Sequence, residues 1–125
     1  MAFAALLAAV ALATSAPAAP RDPSGDYVFE GSCPTIAPPY RGRLTIRREG
    51  AFHFLSFAID GNILTGRGLM TGRRMAVEFR DSNGGGGLMQ MRRRGRTWRG
   101  SWAFFGQQEV CRESWTPAPH NGDSY

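Results

Sequence analysis

The chain reads as all-β: an eight-stranded antiparallel up-and-down barrel following an N-terminal signal peptide. Three observations predict this. Gly50, Gly61, Gly72, Gly84, Gly95 and Gly106 recur every eleven or twelve residues, the spacing of strands joined by tight turns. The segments between them alternate apolar and polar side chains, as half-buried strands do. Two cysteines, Cys33 and Cys111, stand near the two ends of this region, where a closed barrel would bring its first and last strands together.

From the N-terminus, Ala2 to Ala13 is a continuous apolar run followed by the small-residue stretch Thr14-Ser15-Ala16-Pro17-Ala18-Ala19. It is too short to span about 30 Å of hydrocarbon and has the form of a secretory signal, with an A-x-A site placing cleavage after Ala18. The alternative is an Ala-rich buried helix. Residues 1–18 are thus expected to be a signal peptide, 19–24 a flexible leader, 25–116 the barrel and 117–125 a tail. No other segment could cross a membrane as a helix, so the mature chain is expected in the periplasm or outside the cell.

The first strand is expected over Gly25–Gly31, with Tyr27 and Phe29 on one face and Val28 and Glu30 on the other. Pro34, Pro38 and Pro39 exclude a central strand between Ser32 and Pro39. Strand two, Arg41–Arg48, alternates Leu44 and Ile46 with Arg43, Thr45 and Arg47. Strand three, Ala51–Ile59, is apolar on both faces. Asp60-Gly61 then forms a hairpin signal, as does Asn83-Gly84 later. Strand four, Asn62–Met70, places Gly66 and Gly68 on one face, a pattern of close approach by another backbone or a ligand. Strand five alternates Met75, Val77 and Phe79 with Arg74, Ala76, Glu78 and Arg80. Asn83 to Gly87 is a loop, not a phosphate cradle, since no Lys-Ser/Thr or helical pattern follows it. Strands six, seven and eight are expected at Leu88–Arg93, Thr97–Phe105 and Gln107–Trp115. Eight strands with short connections leave two exposed edges unless they close on themselves.

In an exported chain two cysteines are by default a disulfide, although two separate thiols are the alternative. All fifteen basic residues are arginine, lysine is absent, and the net charge is +5, which favours anionic partners without naming one.

The segments Gly25-x-Tyr27, Tyr40-x-Gly42 leading into Leu44 and Ile46, Gly66-x-Gly68 and Gly95-x-x-Trp98-x-Gly100-x-Trp102 resemble small exported β-barrel proteins of proteobacteria, of calycin-like (avidin- and lipocalin-like) architecture. The one-disulfide barrel is also similar to periplasmic inhibitors of secreted proteases. These resemblances imply an exported barrel and no particular reaction.

Nothing in the chain composes a catalytic or metal site. His53 and His120 are the two histidines; His53 reads as a hydrogen-bonded barrel residue or, alternatively, a functional one. Glu109 and Glu113 at i, i+4 along a strand would stand roughly 13 Å apart, wider than a glycosidase pair. No enzyme, metal or cofactor is expected. Two binding readings follow. Trp98, Gly100 and Trp102 share a face, with Gly66 and Gly68 as further candidates, and either flank a gap for a small apolar or amphipathic ligand or fill the core. Arg92, Arg93, Arg94, Arg96 and Arg99 surround the turn at Gly95 and either bind an anionic partner (lipopolysaccharide, anionic lipid or an acidic protein rather than nucleic acid) or form a solvated turn.

Overall fold

A computed structural model describes residues 22–35 and 38–119. The expected signal peptide, the first half of the leader, His120 and the end of the tail lie outside them. Eight strands follow in order: β1 (Gly25–Ser32), β2 (Tyr40–Glu49), β3 (Phe52–Ile59), β4 (Asn62–Thr71), β5 (Arg74–Arg80), β6 (Gly86–Arg94), β7 (Thr97–Phe104) and β8 (Cys111–Pro117). Each pairs antiparallel with its sequence neighbour, and β8 returns to β1 with Phe29 opposite Trp115 and Ser32 opposite Arg112. The sheet is therefore a closed barrel, which removes the exposed edges that an open meander would carry.

The turns follow from backbone sterics. Asp60 and Gly61 both have positive φ, 46° and 78°, as a type I′ hairpin loop requires between the paired residues Ile59 and Asn62. A β-branched side chain resists this conformation. Replacing Gly61 with valine should therefore lower stability by more than about 1 kcal/mol in urea denaturation. An unchanged midpoint would show that the turn does not depend on that conformation.

Alternation then sorts the side chains. Tyr27 and Phe29, Leu44 and Ile46, Leu55 and Phe57, Met75, Val77 and Phe79 point inward and are buried, whereas the arginines that flank them on β2 and β5 face solvent. Gly66 and Gly68 face inward too: a Cβ at Gly66 would lie 2.9 Å from Val77 Cγ1, and one at Gly68 would lie 2.6 Å from Met75 Sδ. The close approach expected at this pair comes from side chains of β5.

Strand eight begins later than its alternation suggests. Gln107 to Val110 form a loop, and the strand starts at Cys111. In that loop Glu109 accepts hydrogen bonds from Thr35 N (2.8 Å) and Thr35 Oγ1 (2.5 Å). These bonds hold its carboxyl below the ordinary range. A side chain so used does not sit in a ladder, and the wall spacing expected between Glu109 and Glu113 does not arise. Two residues further on, Cys111 is bonded to Cys33, with Cα atoms 4.3 Å apart. The disulfide and the Thr35–Glu109 pair tie the β1–β2 loop to the β7–β8 loop at one end of the barrel.

Of the expected flexible leader, Asp22 to Ser24 are described and lie against the opposite end. Pro23 is buried, its carbonyl accepts from the Tyr27 hydroxyl at 2.7 Å, and Asp22 Oδ1 lies 3.2 Å from His53 Nε2.

Candidate functional site

The barrel is filled at one end and hollow at the other. Below, near the leader, Trp98 and Trp115 are fully buried with ring centroids 5.8 Å apart, packed among Leu44, Leu55, Met75 and Met91. Above, beneath the disulfide-tied loops, lies a cavity of about 290 Å³. Eight-stranded barrels sit at this boundary, their interiors either filled by side chains or wide enough for one small ligand. Here both outcomes occur, one at each end.

The cavity wall is aromatic. Phe29 comes from β1, Tyr40 from β2, Phe57 from β3, Phe79 from β5, and Trp102 and Phe104 from β7. The rings meet edge to face: Phe79 and Trp102 at 5.6 Å and 87°, Trp102 and Phe104 at 4.9 Å and 84°, Phe29 and Phe57 at 5.6 Å and 74°. Ile59, Leu64, Met89 and Cys33 complete the apolar lining. At the rim Phe104, Phe105 and Val110 are exposed.

One charged group interrupts this wall. Glu113, 7% exposed, accepts a hydrogen bond at Oε1 from the Tyr40 hydroxyl (2.8 Å) and at Oε2 from Trp115 Nε1 (2.7 Å). The Tyr40 oxygen in turn accepts from Trp102 Nε1 at 2.6 Å. Gly31, paired with both Tyr40 and Glu113 across the sheet, leaves the space this contact needs, because a Cβ there would collide with the Tyr40 hydroxyl. Burial pushes the Glu113 carboxyl up to about 7, against the two hydrogen bonds that favour its ionised form. Burial also raises the Tyr40 phenol, and the adjoining Glu113 adds to that. Among the described residues no basic side chain lines the cavity.

Of the residues marked by sequence for ligand binding, Trp102 lines the cavity. Trp98 lies in the packed end, fully buried. Gly100 stands between them where a Cβ would meet Gln90 O and Met91 Sδ. Gly66 and Gly68 give room to core side chains. Tyr40, Glu113 and the phenylalanines were not marked. Glu113 was detectable in principle, since Cys111, Glu113 and Trp115 form a period-two inward series with an acid at its centre.

The five arginines near Gly95 separate into three positions. Arg92, Arg94 and Arg99 lie together on the outer wall around a shallow depression, and the register sets Arg74, Arg92 and Arg99 side by side on β5, β6 and β7. Arg93 turns under the barrel end, where Nε donates to Gly95 O at 2.9 Å and the guanidinium lies 5.5 Å from the Trp98 ring centre. Arg96 occupies the turn. Among the described residues Arg41, Arg47 and Arg80 have carboxylate partners, whereas no ion pair is formed by Arg74, Arg92, Arg94 or Arg99.

Cys33, Glu109 and Cys111 bring three ligand-type atoms within 4.8 Å of one another, but both sulfurs are joined in the disulfide and the group is a structural tie. No family model matches the chain, and no curated protein shows significant similarity to it. Among the described residues no helix is long and apolar enough to cross a membrane.

Proposed function

We propose that the protein is an exported, non-catalytic binding module whose hollow end takes a small apolar or amphipathic ligand. The carrying observation is the aromatic cavity of about 290 Å³ below an apolar rim, at the lower end of the size range of small-molecule pockets. The disulfide supports a periplasmic or extracellular setting, as does the resemblance to exported barrels. Among the described residues the lining supplies one carboxyl and one phenol but neither a histidine nor a free thiol, which supports binding over chemistry.

Titration with the neutral dye N-phenyl-1-naphthylamine should give saturable one-to-one fluorescence enhancement that changes little between low and high salt. Replacing Leu64 with tryptophan narrows the mouth, and dye affinity should fall at least tenfold with little change in melting temperature. Absence of saturable binding by the parent protein would overturn the reading.

The Arg74–Arg92–Arg99 row favours a second reading, in which the outer wall docks on an anionic partner such as lipopolysaccharide, anionic lipid or an acidic protein. Like charges directly opposite in a sheet repel, and an anion would offset that repulsion. Changing Arg92, Arg94 and Arg99 to glutamine should leave the melting temperature nearly unchanged and abolish retention on heparin at low salt. In the parent that retention should weaken steeply as salt rises. Equal retention of parent and variant would leave the row a solvated surface.

A further inference from the structure

Building on the reading of the outer wall as an anion-docking surface, we infer that the depression between β6 and β7 is a binding site for a phosphate monoester, carried by a lipid or by a small soluble molecule. The register builds the site. Arg92 and Arg94 on β6, like Thr97 and Arg99 on β7, are two residues apart on the outer face, and the ladder sets Arg92 opposite Arg99 and Arg94 opposite Thr97. These residues stand at the corners of one small rectangle, about 5 Å across the strands and about 7 Å along them, and together line the depression. Three corners carry a guanidinium and the fourth a hydroxyl. Arg74, opposite Arg92 on β5, adds a further charge at the edge.

The fold supplies this rectangle with no counter-charge. Among the described residues the outward positions of β6, β7 and β8 carry Arg92, Arg94, Arg99 and Arg112 and no acid. The acid of β5, Glu78, is taken by Arg80 at 2.7 Å. Arg74, Arg92, Arg94 and Arg99 form no ion pair among the described residues, in contrast to Arg41 and Arg47. Guanidinium groups stay charged at any working pH, so the directly opposed arginines repel one another. An anion seated between them would replace that repulsion with attraction.

The count of donors selects the anion. A carboxylate has two oxygens and one charge, which a single guanidinium satisfies through two parallel hydrogen bonds; the other arginines of the rectangle would stay unneutralised. A phosphate monoester presents three strong acceptor oxygens and a charge of about −2 at neutral pH. Arg92, Arg94 and Arg99 can each engage one of those oxygens, with the Thr97 hydroxyl as a further donor. A sulfate ester matches the oxygens but carries half the charge. The expected order of affinity is therefore phosphate monoester, sulfate ester, carboxylate.

The test compares phenyl phosphate, phenyl sulfate and benzoate by calorimetry at low salt and about pH 8, above the second ionisation of a monoester. Phenyl phosphate should bind at least fivefold more tightly than phenyl sulfate, and benzoate more weakly still. Changing Arg92, Arg94 and Arg99 to glutamine should abolish phenyl phosphate binding with the circular dichroism spectrum unchanged. Changing Arg41, Arg47 and Arg67 to glutamine removes the same charge elsewhere and should alter that binding by less than about twofold, since exposed ion pairs contribute little. Phosphatidylcholine vesicles containing phosphatidic acid, set against others containing phosphatidylglycerol at equal surface charge, separate the two sources. Preference for phosphatidic acid assigns a lipid headgroup, and phenyl phosphate binding without that preference assigns a soluble monoester. Equal affinity for the three probes, no binding of phenyl phosphate, or equal loss in both triple variants would overturn the inference. Should the parent alone still be retained on heparin, the outer wall stands as an anion-docking surface of another kind; equal retention of parent and Arg92, Arg94, Arg99 variant would overturn both.

Discussion

Replacing Cys33 and Cys111 together by serine should lower the free energy of unfolding by roughly 4 to 5 kcal/mol. The bond joins residues 78 apart in sequence, and constraining a loop of that length removes much of the entropy of the unfolded chain. Domains are commonly stable by only about 5–15 kcal/mol, so the variant is expected near the limit of folding at ambient temperature. The effect is also local. Cys33 lies on the cavity wall, and the bond holds the β1–β2 and β7–β8 loops over the mouth. Once the tie is cut, Thr35–Glu109 is left to hold them through an exposed side chain. Paired urea titrations check the prediction, with dye binding followed in the same samples. A loss below about 1 kcal/mol would mean that barrel closure is secured by the strands alone.

Stability should fall by roughly 3 kcal/mol as pH rises from 4.5 to about 7, through the single group Glu113. Its carboxyl titrates near 4.5 when unfolded and near 7 when folded. Between those values the folded protein binds more protons than the unfolded chain. The contribution is complete below about 4.5 and lost as pH rises through the folded value. Asp22 and Glu109 are shifted the other way, mainly by hydrogen bonds from Ser24 and Thr35, and their contributions disappear only as pH falls further. The window from 4.5 to 7 therefore belongs to Glu113 among these three. E113Q carries no charge and should flatten the profile there, gaining on the parent at neutral pH. Urea midpoints of both proteins at half-unit pH intervals would show it, and parallel profiles would exclude Glu113 as the source.

Strand count, closure and the cysteine pair were legible in the sequence because each rests on local chemistry or on connectivity. Asp60-Gly61 takes positive φ whatever surrounds it, and apolar alternation on β2 and β5 directs Leu44, Ile46, Val77 and Phe79 inward without knowledge of their partners. Consecutive strands with short turns must pair with their neighbours, which leaves β8 beside β1 and Cys111 beside Cys33. The start of β8 was not legible, since Gln107 to Val110 alternate acceptably and only the bonds from Thr35 to Glu109, 74 residues away, draw them out of the ladder. The arginines near Gly95 were legible as a cluster but not as three positions, because the register with β5 sets Arg92 beside Arg74 and the barrel end captures Arg93.

By itself, then, the sequence determined a closed eight-stranded barrel with an apolar interior and a linked first and last strand. Only the tertiary structure decided where that interior is empty. Filling depends on which side chains from eight strands meet at the same height, and the cross-strand register sets those heights. Trp98 and Trp102 are equivalent by alternation, yet one is sealed against Trp115 and the other bonds Tyr40 beside a cavity. Tyr40 and Glu113 are 73 residues apart. Their contact exists because β1 carries glycine between them at Gly31, a relation among three strands that no pattern along one of them contains.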